Sequence, residues 1–288
     1  MRKKILGDQI SFDNNWKNRK EANYNHWTSL MPKNQIQLAF RFHWEVFQEI
    51  IKNNKKKQNK VLEVGCGRGS LSSYFAQHGS ECTLLDSSVS VLEKARLVFK
   101  NNRHKALFIE GDANKLPFKE NQFDIVFSIG LLEHFEAIKR PIEEQLKVLK
   151  KGGLLFGYIV PENKTNIQRY FSWINLILFA IYKIFSPNYK NKSIQKDDIF
   201  RSNKLSKFYL NHINFKKCNL VAVHGMYPLP MISHSASFPF SLLPKIIELF
   251  LVKIFKFIIK IRSLLNAKHG WICNEKYGQA FLIVLEKK

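Results

Sequence analysis

Acidic residues and cysteines are scarce in this chain of 288 residues. Asp and Glu number 23 against 46 Lys and Arg, for a formal net charge of +23. The four cysteines, at 66, 82, 218 and 273, show no C-x-x-C spacing, which argues against a disulfide framework or a zinc ribbon. No cluster of His, Cys, Asp or Glu has metal-ligand spacing, so no metal is expected. Apolar stretches of spanning length are missing as well. Tyr170–Tyr182 runs for 13 residues without a charge, whereas a membrane-spanning helix needs roughly 20. Met1-Arg-Lys-Lys-Ile-Leu leads into polar residues instead of an apolar h-region, so no cleavable signal is expected. With no internal repeat either, the expectation is a reduced, cytoplasmic protein with buried thiols, long enough for a full core.

What is present begins with Val61-Leu-Glu-Val-Gly-Cys-Gly-Arg-Gly69. Its apolar residues at 61, 62 and 64 predict a buried strand that runs into Gly65, Gly67 and Gly69. The run Leu71–His78 then predicts a helix. Strand, glycine turn and helix form the front edge of a nucleotide-binding crevice. Glycine lets the backbone take positive φ and admits a ligand with no Cβ in the way, and a helix N-terminus offers N–H groups to anions. Alone, the loop is equally a tight strand-to-helix turn. The dinucleotide fingerprint also asks for glycine at 70, where Ser70 stands.

Later segments narrow the reading. Asp86 closes Glu81–Asp86, a predicted second strand, and its carboxylate can accept from both hydroxyls of a ribose. Leu107–Ala113 predicts a third strand ending in Gly111-Asp112-Ala113, where an acid can accept from an adenine amino group. Phe123–Ile129 predicts a fourth strand, followed by Leu132-Glu-His-Phe135. Leu146–Gly153 predicts a helix end on a glycine cap, leading into Leu154–Val160.

This ordered set resembles the class I S-adenosylmethionine-dependent methyltransferases, in the small-molecule branch with ubiquinone-type and sterol-type enzymes. The resemblance covers 55–160 well and 202–288 loosely. It implies an α/β, Rossmann-like fold: a seven-stranded, mostly parallel sheet with helices on both faces and a last strand, 278–286, running antiparallel. It implies S-adenosyl-L-methionine as cofactor, with Glu63, Gly65, Gly67, Asp86, Asp112, Ala113 and Ile129 around it. Glu63 would face the methionine ammonium, or would instead organise the loop and helix. It places His134 where the acceptor meets the methyl group, as base, as positioning group, or as a structural hydrogen-bonding residue.

Around that core the chain reads as an N-terminal cap over 1–54, the cofactor-binding core over 55–160 and a lid insertion over 161–201. Core resumes over 202–227, an amphipathic insertion fills 228–270, and 271–288 holds the last strand. The cap has scattered aromatics at Phe12, Trp16, Tyr24 and Trp27, then a helix over 33–52 with Ile36, Ala39, Phe40, His43, Phe47 and Ile50 on one face. Residues 202–214 predict a helix and 215–223 a strand. Residues 245–261 predict a helix with Lys245, Glu248, Lys253, Lys256 and Lys260 within about 140° of arc and mostly Ile, Leu and Phe elsewhere. That pattern fits an interfacial membrane helix or a packed lid helix.

The excess charge is concentrated. Residues 161–288 carry 20 basic and 6 acidic side chains, against 17 and 12 over 55–160. The excess therefore concerns a partner or substrate face, or is a set of merely solvated lysines. Methyl transfer to a small-molecule or lipophilic acceptor at oxygen is the expected activity, with peripheral contact at the inner membrane surface through 245–261. RNA methylation is the alternative that the basic region suggests. Against it, Ser128-Ile-Gly-Leu-Leu-Glu-His134 lacks the proline and aromatic of amino-directed base methylases. A non-catalytic binding protein is disfavoured by intact Asp86 and Asp112.

Overall fold

A computed structural model of the chain describes residues 26–185, 200–234, 242–266 and 268–288. Phe12, Trp16 and Tyr24, part of the 161–201 insertion and Pro239 lie outside the described residues. The strands in chain order are β1 (Lys60–Val64), β2 (Glu81–Asp86), β3 (Ala106–Glu110), β4 (Phe123–Ile129), β5 (Leu149–Ile159), β6 (Cys218–Met226), β7 (Ile272–Cys273) and β8 (Ala280–Lys287). They form one sheet in the order β3-β2-β1-β4-β5-β8-β6-β7. β1 through β5 pair in parallel, and β8 lies antiparallel between β5 and β6. The expected seven strands become eight because β7, two residues long, pairs antiparallel onto β6.

Alternate residues of each strand feed two apolar layers, as the pleat requires. Val61, Ile125, Phe127, Leu154 and Phe156 face one layer. Helices α1 (Gln35–Asn53), α2 (Ser70–Gln77), α3 (Val89–Asn101) and α8 (Lys245–Asn266) cover that side. Leu62, Val64, Val126 and Leu155 face the other, under α4 (Lys139–Val148) and α7 (Ser206–Leu210). Phe47 of α1 stacks on Phe156 at 4.3 Å between centroids, and Trp44 meets Phe75 edge-on at 4.7 Å. Central strands buried on both faces are what parallel pairing demands.

The cap lies across the glycine loop. Arg41 donates to the carbonyls of Thr28 and Leu30 at 3.0 Å, and Trp27 is buried with its ring 4.7 Å from that of His104. His26 stacks on Phe40. Desolvation, and then the Arg68 charge in the glycine loop, push its imidazole down to about 3.

Several boundaries differ from the sequence reading. The helix before β5 ends at Val148, not on a glycine cap, and Lys150–Gly153 already belong to β5. Register slips there, from Phe123 opposite Leu149 to Ile125 opposite Leu154. A Cβ on Gly153 would come within 2.7 Å of the Asp124 carbonyl, so the glycines serve a bulge. The helix predicted over 202–214 shrinks to α7; Ser202, ahead of it, donates its N–H to the Glu133 carbonyl at 2.8 Å. The strand predicted over 215–223 is displaced to 218–226.

Two further helices follow β5: the single turn α5 (Ile167–Tyr170) and α6 (Ser172–Phe185). On α8, Glu248 does not join the lysines. It is buried and accepts from the Gln35 N–H at 2.9 Å, the Gln35 side-chain amide at 3.0 Å and the Leu243 N–H at 3.1 Å. Glu248→Ala should destabilise the fold by about 3 kcal/mol, because two buried main-chain N–H groups lose their acceptor. Urea denaturation alongside Lys253→Ala, an exposed control, checks this. A loss no larger than the control's would mean that the carboxylate holds nothing.

Candidate functional site

Parallel strands deliver their C-terminal ends to one edge, and the expected residues converge there. Gly65, Gly67 and Gly69 all take positive φ, at 69°, 53° and 65°. The N–H groups of Gly65 and Cys66 donate to the Leu85 carbonyl at 2.8 and 3.0 Å, fastening the loop to the end of β2. Asp86 then accepts from the Gly67 N–H at 3.1 Å and from the Ser88 N–H at 3.1 Å. These two bonds fix the carboxylate plane and leave lone pairs for a ligand hydroxyl. A Cβ on Gly65 would fall 2.8 Å from Leu131 Cδ1, so the loop abuts the turn that follows β4.

Glu63 shares the α2-facing side of β1 with Val61. It is buried and accepts from Ser72 Oγ at 2.5 Å. Burial raises its carboxyl to about 8, against the pull of the Ser72 bonds and with some repulsion from Asp86. The Ser72 bond ties β1 to α2. Ile129 ends β4, half-buried against the same layer. Asp112 is exposed, and its Oδ1 accepts from the backbone and side-chain N–H of Asn114 at 2.8 and 3.0 Å, while Ala113 is buried beneath it.

His134 closes a 3-10 turn, Leu132–His134. Its Nδ1–H donates to the Phe200 carbonyl at 2.7 Å, which makes Nε2 the basic nitrogen of the neutral ring. Glu133, beside it, is fully buried and was not singled out on its own by sequence reasoning. One oxygen accepts from the Val160 N–H at 3.2 Å, and the other has no hydrogen-bond partner. Burial raises this carboxyl to about 7, with the Arg201 charge pulling against it. The adjacent Glu-His pair was the available signal. The Val160 N–H, just past β5, meets Glu133 where it points inward.

A second group was hinted at by the sequence only through His43. Trp271 Nε1–H donates to His43 Nδ1 at 2.9 Å, and His43 Nε2 meets the Tyr158 hydroxyl at 3.3 Å. An indole only donates, so Nδ1 accepts and Nε2 carries the proton toward Tyr158. Burial pushes His43 down to about 3, so the ring is neutral. Tyr158 stands next to the last residue of β5 and opposite Ile129, at the same sheet edge. One polar residue on the apolar face of α1 was the only hint of this relay.

Residues 62–157 match the family model described as Methyltransferase domain. An uncharacterized protein of Methanocaldococcus jannaschii is 31% identical over 179 residues, covering 60% of this chain and 72% of that protein. The ubiquinone biosynthesis O-methyltransferase of Pelagibacter ubique is 28% identical over 162 residues, covering 55% of this chain and 66% of the relative. Other curated methyltransferases match over shorter stretches, and the chain spans 37% to 46% of their length. A crystal structure of a Pyrococcus horikoshii protein has a TM-score of 0.51 at 19% identity, over 92% of this chain and 97% of that one, a likeness of fold alone. The chain belongs to the class I S-adenosylmethionine-dependent methyltransferases.

Proposed function

We propose that the protein transfers a methyl group from S-adenosylmethionine to an oxygen of a small or lipid-linked acceptor. The observation that carries this is the Asp86 carboxylate held by the Gly67 N–H of a loop with three positive-φ glycines. An adenosyl ligand fits those residues: Asp86 would accept from the ribose hydroxyls, Asp112 from the adenine amino group, and Gly65 and Gly67 would leave room for the ligand. Ala113 and Ile129 would supply apolar walls, and Glu63 would face the ammonium, ionising as the cation binds. When bound, S-adenosylmethionine supplies the methyl group on a positively charged sulfur that departs as a neutral thioether.

The protein's share is placement, exclusion of water, and removal of the acceptor's proton. His134 Nε2 would take the hydroxyl proton as the oxygen's electron pair forms the new bond to carbon, and the carbon–sulfur pair leaves with sulfur. The Phe200 carbonyl would steady the imidazolium through Nδ1–H. The insertions 161–201 and 228–270 would wall the acceptor pocket as a lid, with 245–261 touching an inner membrane surface. The Pelagibacter relative, named for ubiquinone biosynthesis, supports a lipophilic acceptor over RNA. Incubating cell extract with the protein and labelled methyl donor tests this reading. Label in the lipid fraction is expected, whereas label in RNA would overturn it.

Asp86→Ala should weaken binding of S-adenosylhomocysteine by about 2–4 kcal/mol, since ribose and loop donors lose their acceptor. Titration calorimetry on folded protein checks this, and equal affinities would mean a different crevice. His134→Ala should lower kcat by roughly a hundredfold or more, with cofactor affinity intact. A rise in acceptor KM alone would make His134 a positioning residue.

Glu63 gives a pH prediction. Its folded value of about 8 lies above the ordinary 4.5, so between these the folded state holds a proton that the unfolded chain has released. Its contribution is full below about 4.5 and is lost as pH rises to about 8. Glu63→Gln keeps an acceptor for Ser72 and should flatten that decline, gaining on the order of 2 kcal/mol over wild type at pH 8 and little at pH 4. Denaturation curves at the two pH values decide it, and parallel pH profiles would contradict the protonated state.

A further inference from the structure

Helices α6 and α8 each bury one polar residue as an anchor and turn an apolar stripe outward. On α8 the inward positions are Glu248, Val252, Phe255 and Ile259, all buried. Opposite them runs one stripe: Ile246, 83% exposed, Phe250, 61%, Phe257, 65%, and Leu264, 76%. Phe255 and its neighbour Ile258, which the sequence would assign to a lipid-facing side, instead belong to the core or pack on it. On α6 the one buried residue is Asn175, and Trp173, Ile177 and Ile184 are exposed on the far side. A helix serving only as a solvated lid would carry the reverse pattern.

The two buried polar residues hold both helices to a single strap, Met231–Ser233. Asn175 donates to the Met231 carbonyl at 3.0 Å and accepts from the Ser233 N–H at 3.1 Å. From the strap's other side, Gln35 accepts from the Ile232 N–H and donates to the Ile232 carbonyl, both at 2.9 Å. Gln35 in turn donates to Glu248. These bonds leave neither helix free to rotate its apolar stripe inward without stranding buried polar groups.

We infer that α6 and α8 together form one docking platform for an anionic lipid bilayer surface. The lysines specify the partner. Lys245, Lys253, Lys256 and Lys260 line one edge of the α8 stripe, and the helix's single acid, Glu248, is buried. α6 has Lys183 and no acid. A second copy of the chain would set lysines against lysines. No described helix is long and apolar enough to cross a membrane, so the helices would lie in the headgroup region with lysines at its anionic surface. The inference rests on the lipid-contact reading of 245–261 and extends it to a second helix and to a different set of side chains.

Flotation with phosphatidylcholine vesicles, with and without phosphatidylglycerol, tests it on the full chain. Wild type should float with anionic vesicles, less so in high salt but not to zero, because the apolar contribution is unscreened. Phe250→Ser with Phe257→Ser should lower the bound fraction about tenfold or more, and so should Trp173→Ser with Ile177→Ser. The emission of Trp173, read as the difference from Trp173→Phe, should shift to the blue on vesicle addition. Wild type that stays at the bottom overturns the inference. So does a dimer in light scattering that Phe250→Ser with Phe257→Ser dissolves. If only the α8 pair matters, the two-helix platform fails while contact through 245–261 survives. Binding of S-adenosylhomocysteine, expected unchanged in every variant, separates failure of the platform from failure of the methyltransferase reading or of the fold.

Discussion

Parallel pairing is the constraint from which the site follows. Strands β1, β2, β4 and β5 run in the same direction, so each must hand the chain to a loop at one edge of the sheet. Gly65, Asp86, Ile129 and Tyr158 stand far apart in sequence yet converge at that edge. The alternation of the pleat then sorts them. Glu63 faces the helix layer and reaches Ser72, while Leu132 packs across the other face beside Gly157, where no side chain intervenes. The site is built from strand ends because that is where a parallel sheet leaves backbone groups unpaired.

Burial sets the electrostatics of that edge. Glu63 and Glu133 lie within apolar surroundings that favour their neutral forms, and Asp86 takes its donors from the backbone of the loop itself. The Trp271–His43–Tyr158 relay brings a third element, the segment before β8, to the same place.

The two outward-facing helices obey a different logic. On α8, Val252, Phe255 and Ile259 join the core, and specific hydrogen bonds through Asn175, Gln35 and Glu248 hold both helices. Such contacts fix orientation well while contributing modest net stability. A separate apolar stripe of each helix is left on the outside.

Much of this was legible from local pattern. Short-range rules govern strands and turns, so the apolar runs, the three glycines and Asp86 at the end of a strand located β1, β2, β4 and the crevice within a residue or two. The helix over 33–52 and the antiparallel last strand were equally clear. Bulges, helix ends and facing were not, because these depend on partners distant in sequence. Gly152 and Gly153 read as a helix cap until β4 is placed opposite them. Glu248 read as one of a row of surface charges until Gln35, 213 positions away, is brought against it. The sequence by itself determined the sheet core, the loop and the family, since periodicity and glycine chemistry act over a few residues. Only the tertiary structure decided that Glu133 and Glu248 point inward and that the apolar stripes of α6 and α8 point outward, because the donors that meet those carboxyls, Val160 and Gln35, are distant in sequence.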